Sequence, residues 1–218
     1  MRLVVFDVDG TLVDSQNHIH HAMSFAFQEA GLLPLPKAQV LTIVGLSLPV
    51  AVAQLAPDAD PETQARIVQG YKDSFMRARL EQAAPLYPGA LNCLDRLAEH
   101  DDLVLAVATG KSRRGLDAMI AAHGLQGRFL SLQTADGHPS KPHPSMLLAA
   151  LAETGAKAGQ AVMIGDTTFD MEMAKAAGLT GFGVTWGYHP VEALSDAGAA
   201  RIVTDFEALT DAIEEWAA

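Results

Sequence analysis

Asp7-Val8-Asp9-Gly10-Thr11 places two carboxylates two residues apart, directly after the apolar run from Arg2 to Phe6. In an extended segment such residues point the same way along the pleat, and a bend at Gly10 would let both face one ligand. Carboxylates held that close repel unless a cation or a shared proton intervenes. The chemistry open to them is metal binding, nucleophilic attack by one, and acid/base work by the other. The ordinary alternative is a strand-end turn with solvated acids. A second cluster shifts that balance. Gly165-Asp166-Thr167-Thr168-Phe169-Asp170 follows the apolar run from Ala161 to Ile164, so Asp166 stands at a strand end and Asp170 one helical turn later. Acids near a helix start also serve as caps, yet two strands that each end in a pair of acids are better explained by one shared site. Carboxylate oxygens with no cysteine nearby favour a hard cation, Mg²⁺ first.

Two further segments supply positive charge and hydrogen-bond donors. Ala108-Thr109-Gly110-Lys111-Ser112 ends another apolar run and opens a helical pattern. A hydroxyl and backbone N–H groups at a helix start make a phosphate seat. Lys141-Pro142-His143-Pro144 sets a lysine just before a helix whose first turn accepts proline. Lys111, Arg113 and Arg114 read as a solvated helix face, or as added positive field at the entrance to the site. His18 and His21 share a helical face, with His20 pointing away, and a lone pair without a third ligand does not make a zinc site. His143 reads as a turn residue. Trp186, Tyr188 and His189 read either as a loop near the site or as aromatic packing beneath it.

These residues need elements to position them. Short apolar runs at Arg2 to Phe6, Leu103 to Ala108, Ala161 to Ile164 and Gly181 to Val184, and a weaker one at Arg201 to Val203, suit strands buried on both faces of a parallel sheet. Helical patterns lie between them, near 113–123, 144–153, 169–177 and 206–216. The fold class expected is therefore α/β, a Rossmann-like, mostly parallel sheet. From Ser15 to Ala83 no strand pattern occurs. Ile19, Ala22, Met23 and Ala26 follow helical spacing, as do Ala65 to Met76, and five prolines divide the middle. The expectation is an all-helical insertion at 15–83 within a core formed by 1–14 and 84–218.

The 218 residues carry a net charge of −11, with 49% hydrophobic and 19% charged residues, so the chain can bury a core. The acidic balance argues against a nucleic-acid binder and a basic membrane-surface protein. Cys93 alone excludes an intrachain disulfide and reads as a small core residue. No apolar run approaches the ~18 residues of a spanning helix. The default is a soluble cytoplasmic protein.

The ordered set Asp7-Val8-Asp9-Gly10-Thr11, Thr109-Gly110, Lys141-Pro142 and Gly165-Asp166 with Asp170 resembles the four motifs of the haloacid-dehalogenase-like hydrolases. The place of the helical insertion matches too. Asp9-Gly10-Thr11-Leu12-Val13-Asp14-Ser15, Ile43-Val44-Gly45-Leu46-Ser47 and Gly183-Val184-Thr185-Trp186-Gly187-Tyr188 resemble the phosphoglycolate-phosphatase-like branch. The resemblance implies a Mg²⁺-dependent phosphatase acting on a small phosphorylated metabolite, 2-phosphoglycolate being the candidate. It makes Asp7 the nucleophile that becomes an aspartyl-phosphate, and Asp9 the acid and base. It gives the metal to Asp7, the Asp9 backbone carbonyl and Asp166, and the phosphoryl group to Thr109, Gly110 and Lys141. Asp170 would orient Lys141 or a metal-bound water. Asp9 argues against dehalogenation, because halide leaves without a proton. Neither Lys37 nor Lys72 lies in the opening helix of the insertion, where a phosphonate-cleaving relative would need its lysine. A sugar-phosphate mutase, a pyrophosphatase and a non-enzymatic phosphate-ligand binder are the alternatives on this core. The insertion would act as a cap that selects the substrate, with Gly45, Leu46 and Ser47 as the selecting loop.

Overall fold

Leu3, Val4, Val5 and Phe6 offer no polar face, and all four lie fully buried in the strand they build, β1 (Arg2–Phe6), in the middle of the sheet. In the computed structural model, which describes residues 1–218, five more strands complete that sheet: β2 (Leu103–Thr109), β3 (Ser131–Thr134), β4 (Ala161–Gly165), β5 (Thr180–Val184) and β6 (Arg201–Val203). Their order is β3-β2-β1-β4-β5-β6, and every neighbouring pair is parallel. The chain winds outward from β1 to β3, then returns to the other side of β1 at β4. That reversal opens a crevice beyond the carboxyl ends of the central strands, where ligands bind in open sheets of this kind.

β3 is absent from the hydrophobic pattern. Its sequence, Ser131-Leu132-Gln133-Thr134, is mostly polar because side-chain bonds, not apolar contacts, satisfy it at the sheet edge. The Ser131 hydroxyl donates to Glu153 at 2.6 Å, and Gln133 donates to the Ser131 hydroxyl at 2.8 Å.

Between β1 and the return of the chain at Pro85 come four helices and no strand: α1 (Gln16–Glu29), α2 (Lys37–Leu41), α3 (Leu48–Leu55) and α4 (Pro61–Glu81). Pro36, Pro49 and Pro61 begin α2, α3 and α4 rather than break them, as the free N–H positions of a first turn allow. Asp60 caps α4 by accepting the Thr63 N–H at 2.8 Å. Ile19, Met23, Phe27, Val40, Val52 and Ile67 form an apolar cluster of this insertion's own, with Phe169 and Tyr188 packed against it from outside. The outgoing and returning chains run side by side: Asp14 N–H donates to Pro85 O, and Tyr87 N–H to Leu12 O, both at 2.9 Å.

Six helices cover the sheet: α5 (Ala90–Leu97), α6 (Arg113–Ala122), α7 (Ser145–Thr154), α8 (Thr168–Ala177), the short α9 (Val191–Asp196) and α10 (Phe206–Ala217). The period-two alternation of β1 divides the core. Val4 and Phe6 meet Leu94 of α5, Leu116 of α6 and Leu209 of α10, while Leu3 and Val5 meet Met146 of α7 and Met173 of α8. Each such side chain, fully buried, contributes about 1.5–3 kcal/mol. Cys93 of α5 belongs to this core, and burial pushes its thiol up to about 11. No helix is long and apolar enough to cross a membrane.

Candidate active site

Phe6 pairs with Val107 of β2 and Ile164 of β4, so the next residue, Asp7, emerges between two strand ends. Its N–H still bonds to Ile164 O at 2.9 Å, which fixes the start of the side chain. The chain then turns back on itself. Val8 O accepts the N–H groups of Thr11, Leu12 and Val13, and Gly10 takes a φ of +84°. Val8 enters the core, and Asp7 and Asp9 both line the crevice.

Asp7 is 1% exposed, and the Lys141 ammonium is the one donor that its carboxylate meets. Lys141 Nζ stands 3.0 Å from Oδ1 as an ion pair and 2.6 Å from Asp170 Oδ1. Burial lifts Asp7 to about 7, against the pull of Lys141 and with the push of Asp170 and Asp9. Burial acts on Lys141 in the opposite sense, toward the neutral form, but Asp170 and Asp7 overcome it and hold the ammonium charged. Asp170 is both a cap and a positioning residue. Its Oδ2 accepts the Thr167 N–H and hydroxyl at 3.1 and 2.7 Å at the start of α8, while its Oδ1 holds Lys141.

Asp166, wholly buried, accepts the Thr11 hydroxyl and the Tyr188 N–H, each at 2.9 Å. Burial, followed by Asp170 and Asp7, raises its pKa well above the ordinary range. Oxygens of Asp7, Asp166 and Asp170 lie within 4.8 Å of one another. Ionised together, the three carboxylates would leave two negative charges uncompensated by the one buried ammonium, which is why burial raises Asp7 and Asp166. A divalent cation with a preference for oxygen fits this donor set. Thr109, 1% exposed at the end of β2, and Gly110 line the same crevice.

The helices of 16–81 close over these strand ends from two sides. On one, a Cβ at Gly110 would stand 2.6 Å from the carbonyl oxygens of both Gly45 and Leu46, so only glycine permits that approach. Ser47 N–H donates to Ser140 Oγ at 2.8 Å and is therefore engaged by the protein, while the Leu46 side chain packs inside the insertion. His189 accepts the Thr168 N–H at Nδ1, 3.1 Å, and through Nε2 reaches Thr42 O at 3.2 Å. On the other side, the ring of Phe75 in α4 lies over Lys111 Nζ, 5.0 Å from its centroid. A chamber of 640 Å³ remains between, lined by Asp7, Asp9, Thr109 and Gly110 below and by Gly45, Ser47, Tyr71 and Lys72 above.

Several contacts lie beyond what the spacing of residues suggests. Lys111 is not solvated but bonds both oxygens of Asp9, at 2.7 and 2.8 Å. Gly187 has no side chain because a Cβ there would stand 2.1 Å from Cβ of Asp166. Both readings of the 186–189 loop hold: Trp186 packs on Phe206 and donates to Thr11 O, while Tyr188 serves Asp166. His18 and His20 are drawn apart, to Gln82 O and Leu35 O, and His143 accepts the Ser145 N–H in its turn.

The model of the family described as haloacid dehalogenase-like hydrolase matches residues 4–184. A protein of Dickeya dadantii described as a probable phosphatase, IndB, is 37% identical over 96% of this chain and 92% of its own. The phosphoglycolate phosphatase of Rhodospirillum rubrum is 34% identical over 96% of this chain and 90% of its own. The crystal structure of a hydrolase from Pseudomonas syringae superposes over the whole of both chains with a TM-score of 0.89 at 26% identity. The chain belongs to the haloacid dehalogenase-like hydrolases, in their phosphoglycolate-phosphatase-like branch.

Proposed function

We propose that the chain is a Mg²⁺-dependent phosphomonoesterase working through an aspartyl-phosphate on Asp7. One observation carries this reading: a buried carboxylate whose one partner is a charged lysine at 3.0 Å stands at the floor of a 640 Å³ chamber. Asp7 attacks phosphorus, an Asp7 oxygen–phosphorus bond forms, and the bond to the ester oxygen breaks. Asp9 gives its proton to that leaving oxygen, then takes one from the water that releases phosphate and regenerates Asp7. Thr109, the Gly110 N–H and Lys141 hold the phosphoryl oxygens, and Asp170 keeps Lys141 in place. Mg²⁺ held by Asp7, Asp166 and the Asp9 carbonyl would offset the repulsion between carboxylate and phosphate.

Residues 15–83 act as the cap over a catalytic core of 1–14 and 84–218, with Gly45 and Ser47 as its substrate-facing residues; Leu46, expected to join them, instead anchors their loop in the apolar core of the cap. The names of the relatives make 2-phosphoglycolate the first candidate substrate. Release of inorganic phosphate from a panel of alkyl and sugar phosphomonoesters, with and without Mg²⁺, tests the reading. Isomer formation from a sugar phosphate without net release would point to a mutase, and binding without either product to a non-enzymatic protein.

Seating of the cap gives a further expectation. Gly110→Ala places a methyl group 2.6 Å from two backbone oxygens, which cannot rotate away. The cap must lift, and a displacement on the order of 1 Å can cost about 10²-fold in rate. The value of kcat/KM should fall by similar factors for every ester, with the melting temperature little changed. A loss confined to one substrate would show that Gly110 touches the leaving group instead.

A further inference from the structure

Lys111 directly follows the phosphate seat of Thr109 and Gly110, and its ammonium is held from both sides. Below it are the two oxygens of Asp9, and above it is the Phe75 ring of α4, 5.0 Å to the centroid. The side chain is 11% exposed. Asp9 Oδ1 also accepts the Ser15 hydroxyl at 2.5 Å. A carboxylate oxygen has two lone pairs. Oδ1 spends both, on Ser15 and Lys111, whereas Oδ2 spends one on Lys111 and keeps one.

We propose that Lys111 is a positioning residue that makes Asp9 Oδ2 the oxygen that passes the proton, and that Phe75 makes this alignment depend on a seated cap. The proposal rests on the phosphomonoesterase reading. With the proton on Oδ2, Lys111 still has Oδ1 to hold, so the carboxyl group does not rotate as it turns from acid to base. In the first step the proton leaves Oδ2 for the ester oxygen as the phosphorus–oxygen bond breaks and the bond to Asp7 forms. In the second, water adds to phosphorus, its proton returns to Oδ2, and Asp7 departs. The ammonium prefers the face of an aromatic ring to an aliphatic wall, so lifting α4 removes one of the two supports that keep Lys111 on Asp9.

Leaving groups differ in their need for that proton, and the difference is the test. An alkoxide needs it, whereas p-nitrophenolate departs as a stable anion. The value of kcat/KM covers the steps up to the aspartyl-phosphate, so it reports the leaving-group proton and not the later attack of water. For Lys111→Met it should fall roughly 10²-fold on the best alkyl phosphomonoester, 2-phosphoglycolate being tried first, and about ten-fold or less on p-nitrophenyl phosphate. Phe75→Leu, which leaves Lys111 in place, should shift the same ratio in the same direction by a smaller factor. An unchanged ratio in Lys111→Met overturns the proposal, whether the shared loss lies in KM, as for a substrate ligand, or in both parameters, as for a structural lysine. If Lys111→Met does not fold, the ratio in Phe75→Leu decides alone. A shift in Lys111→Met without one in Phe75→Leu removes the dependence on the cap. No phosphate from any ester with the wild type would sink the phosphomonoesterase reading, and the proposal with it.

Discussion

Asp7→Asn should lose turnover by a factor on the order of 10⁴ to 10⁶ in kcat, the scale of removing a nucleophile. The substitution keeps the shape of the side chain and removes its charge, and with it both the attack on phosphorus and an anionic ligand for the metal. Acid quenching during turnover of a labelled substrate should trap phosphoprotein in the wild type and none in the variant. The fold should not suffer, for a reason the pH dependence can expose. Asp7 binds its proton more tightly in the folded chain, at about 7 against 3.8. A group raised in this way contributes stability that is fully present below about 3.8 and is lost as pH rises through about 7. At pH 8 the metal-free wild type therefore carries the cost of a buried carboxylate, and asparagine does not. Each tenfold change in proton affinity is worth about 1.4 kcal/mol, so the variant should gain up to a few kcal/mol. The gain is reduced because Lys141 keeps only Asp170 as a partner. Thermal unfolding in chelator from pH 4 to 8 should show the variant drawing ahead as pH rises. Turnover near that of the wild type would sink the covalent mechanism, and a stability gap independent of pH would mean that Asp7 is not buried as a charge.

The residues that carry the chemistry were legible because they are polar groups where a strand should end. Asp7, Asp9, Thr109 and Asp166 each follow an apolar run, and parallel strands buried on both faces leave such runs unbroken. The insertion was legible through the helical period of Ile19 to Ala26 and the lack of any strand pattern. β3 was not, since Ser131 and Gln133 satisfy each other through hydrogen bonds and produce no apolar signal. Nor were the supporting contacts. Lys111 stands in a run of bases that reads as a solvated helix face, and only the turn at Gly10 brings Asp9 within its reach. Ser15 and Asp9 lie six residues apart and meet for the same reason. Asp170 looked like either a cap or a site residue because its two oxygens perform one task each. Local pattern records which face of an element is buried, whereas a contact such as Gly187 with Asp166 depends on two loops meeting in space.

That contact gives the second large effect, loss of the metal through a residue that does not touch it. Asp166 is clasped between two glycines. A Cβ at Gly187 would stand 2.1 Å from its Cβ, and one at Gly10 would stand 2.2 Å from Oδ2. The first distance involves the root of the side chain, which no rotation about χ1 relieves, so Gly187→Ala must move Asp166 bodily. Displacing a ligand in this way typically costs 10–100-fold in metal affinity or activity. Asp166→Ala, which removes the ligand, sets the limiting case. Binding alone reports on this without turnover. A ligand at 100 times its Kd stabilises the folded state by about 2.7 kcal/mol, and each kcal/mol raises Tm by about 2–4 °C in a chain of this length. Mg²⁺ should therefore raise the Tm of the wild type by several degrees and leave Gly187→Ala and Asp166→Ala nearly unmoved at the same concentration. The shift is compared within each protein, so any destabilisation that the alanine causes by itself cancels. Activity should follow the same order, with chelator abolishing it in the wild type and added Mg²⁺ restoring it. Full activity in excess chelator would dismiss the metal altogether. An equal Mg²⁺ shift in Gly187→Ala would mean that Asp166 accommodates the methyl group and that the close approach of Gly187 has another cause.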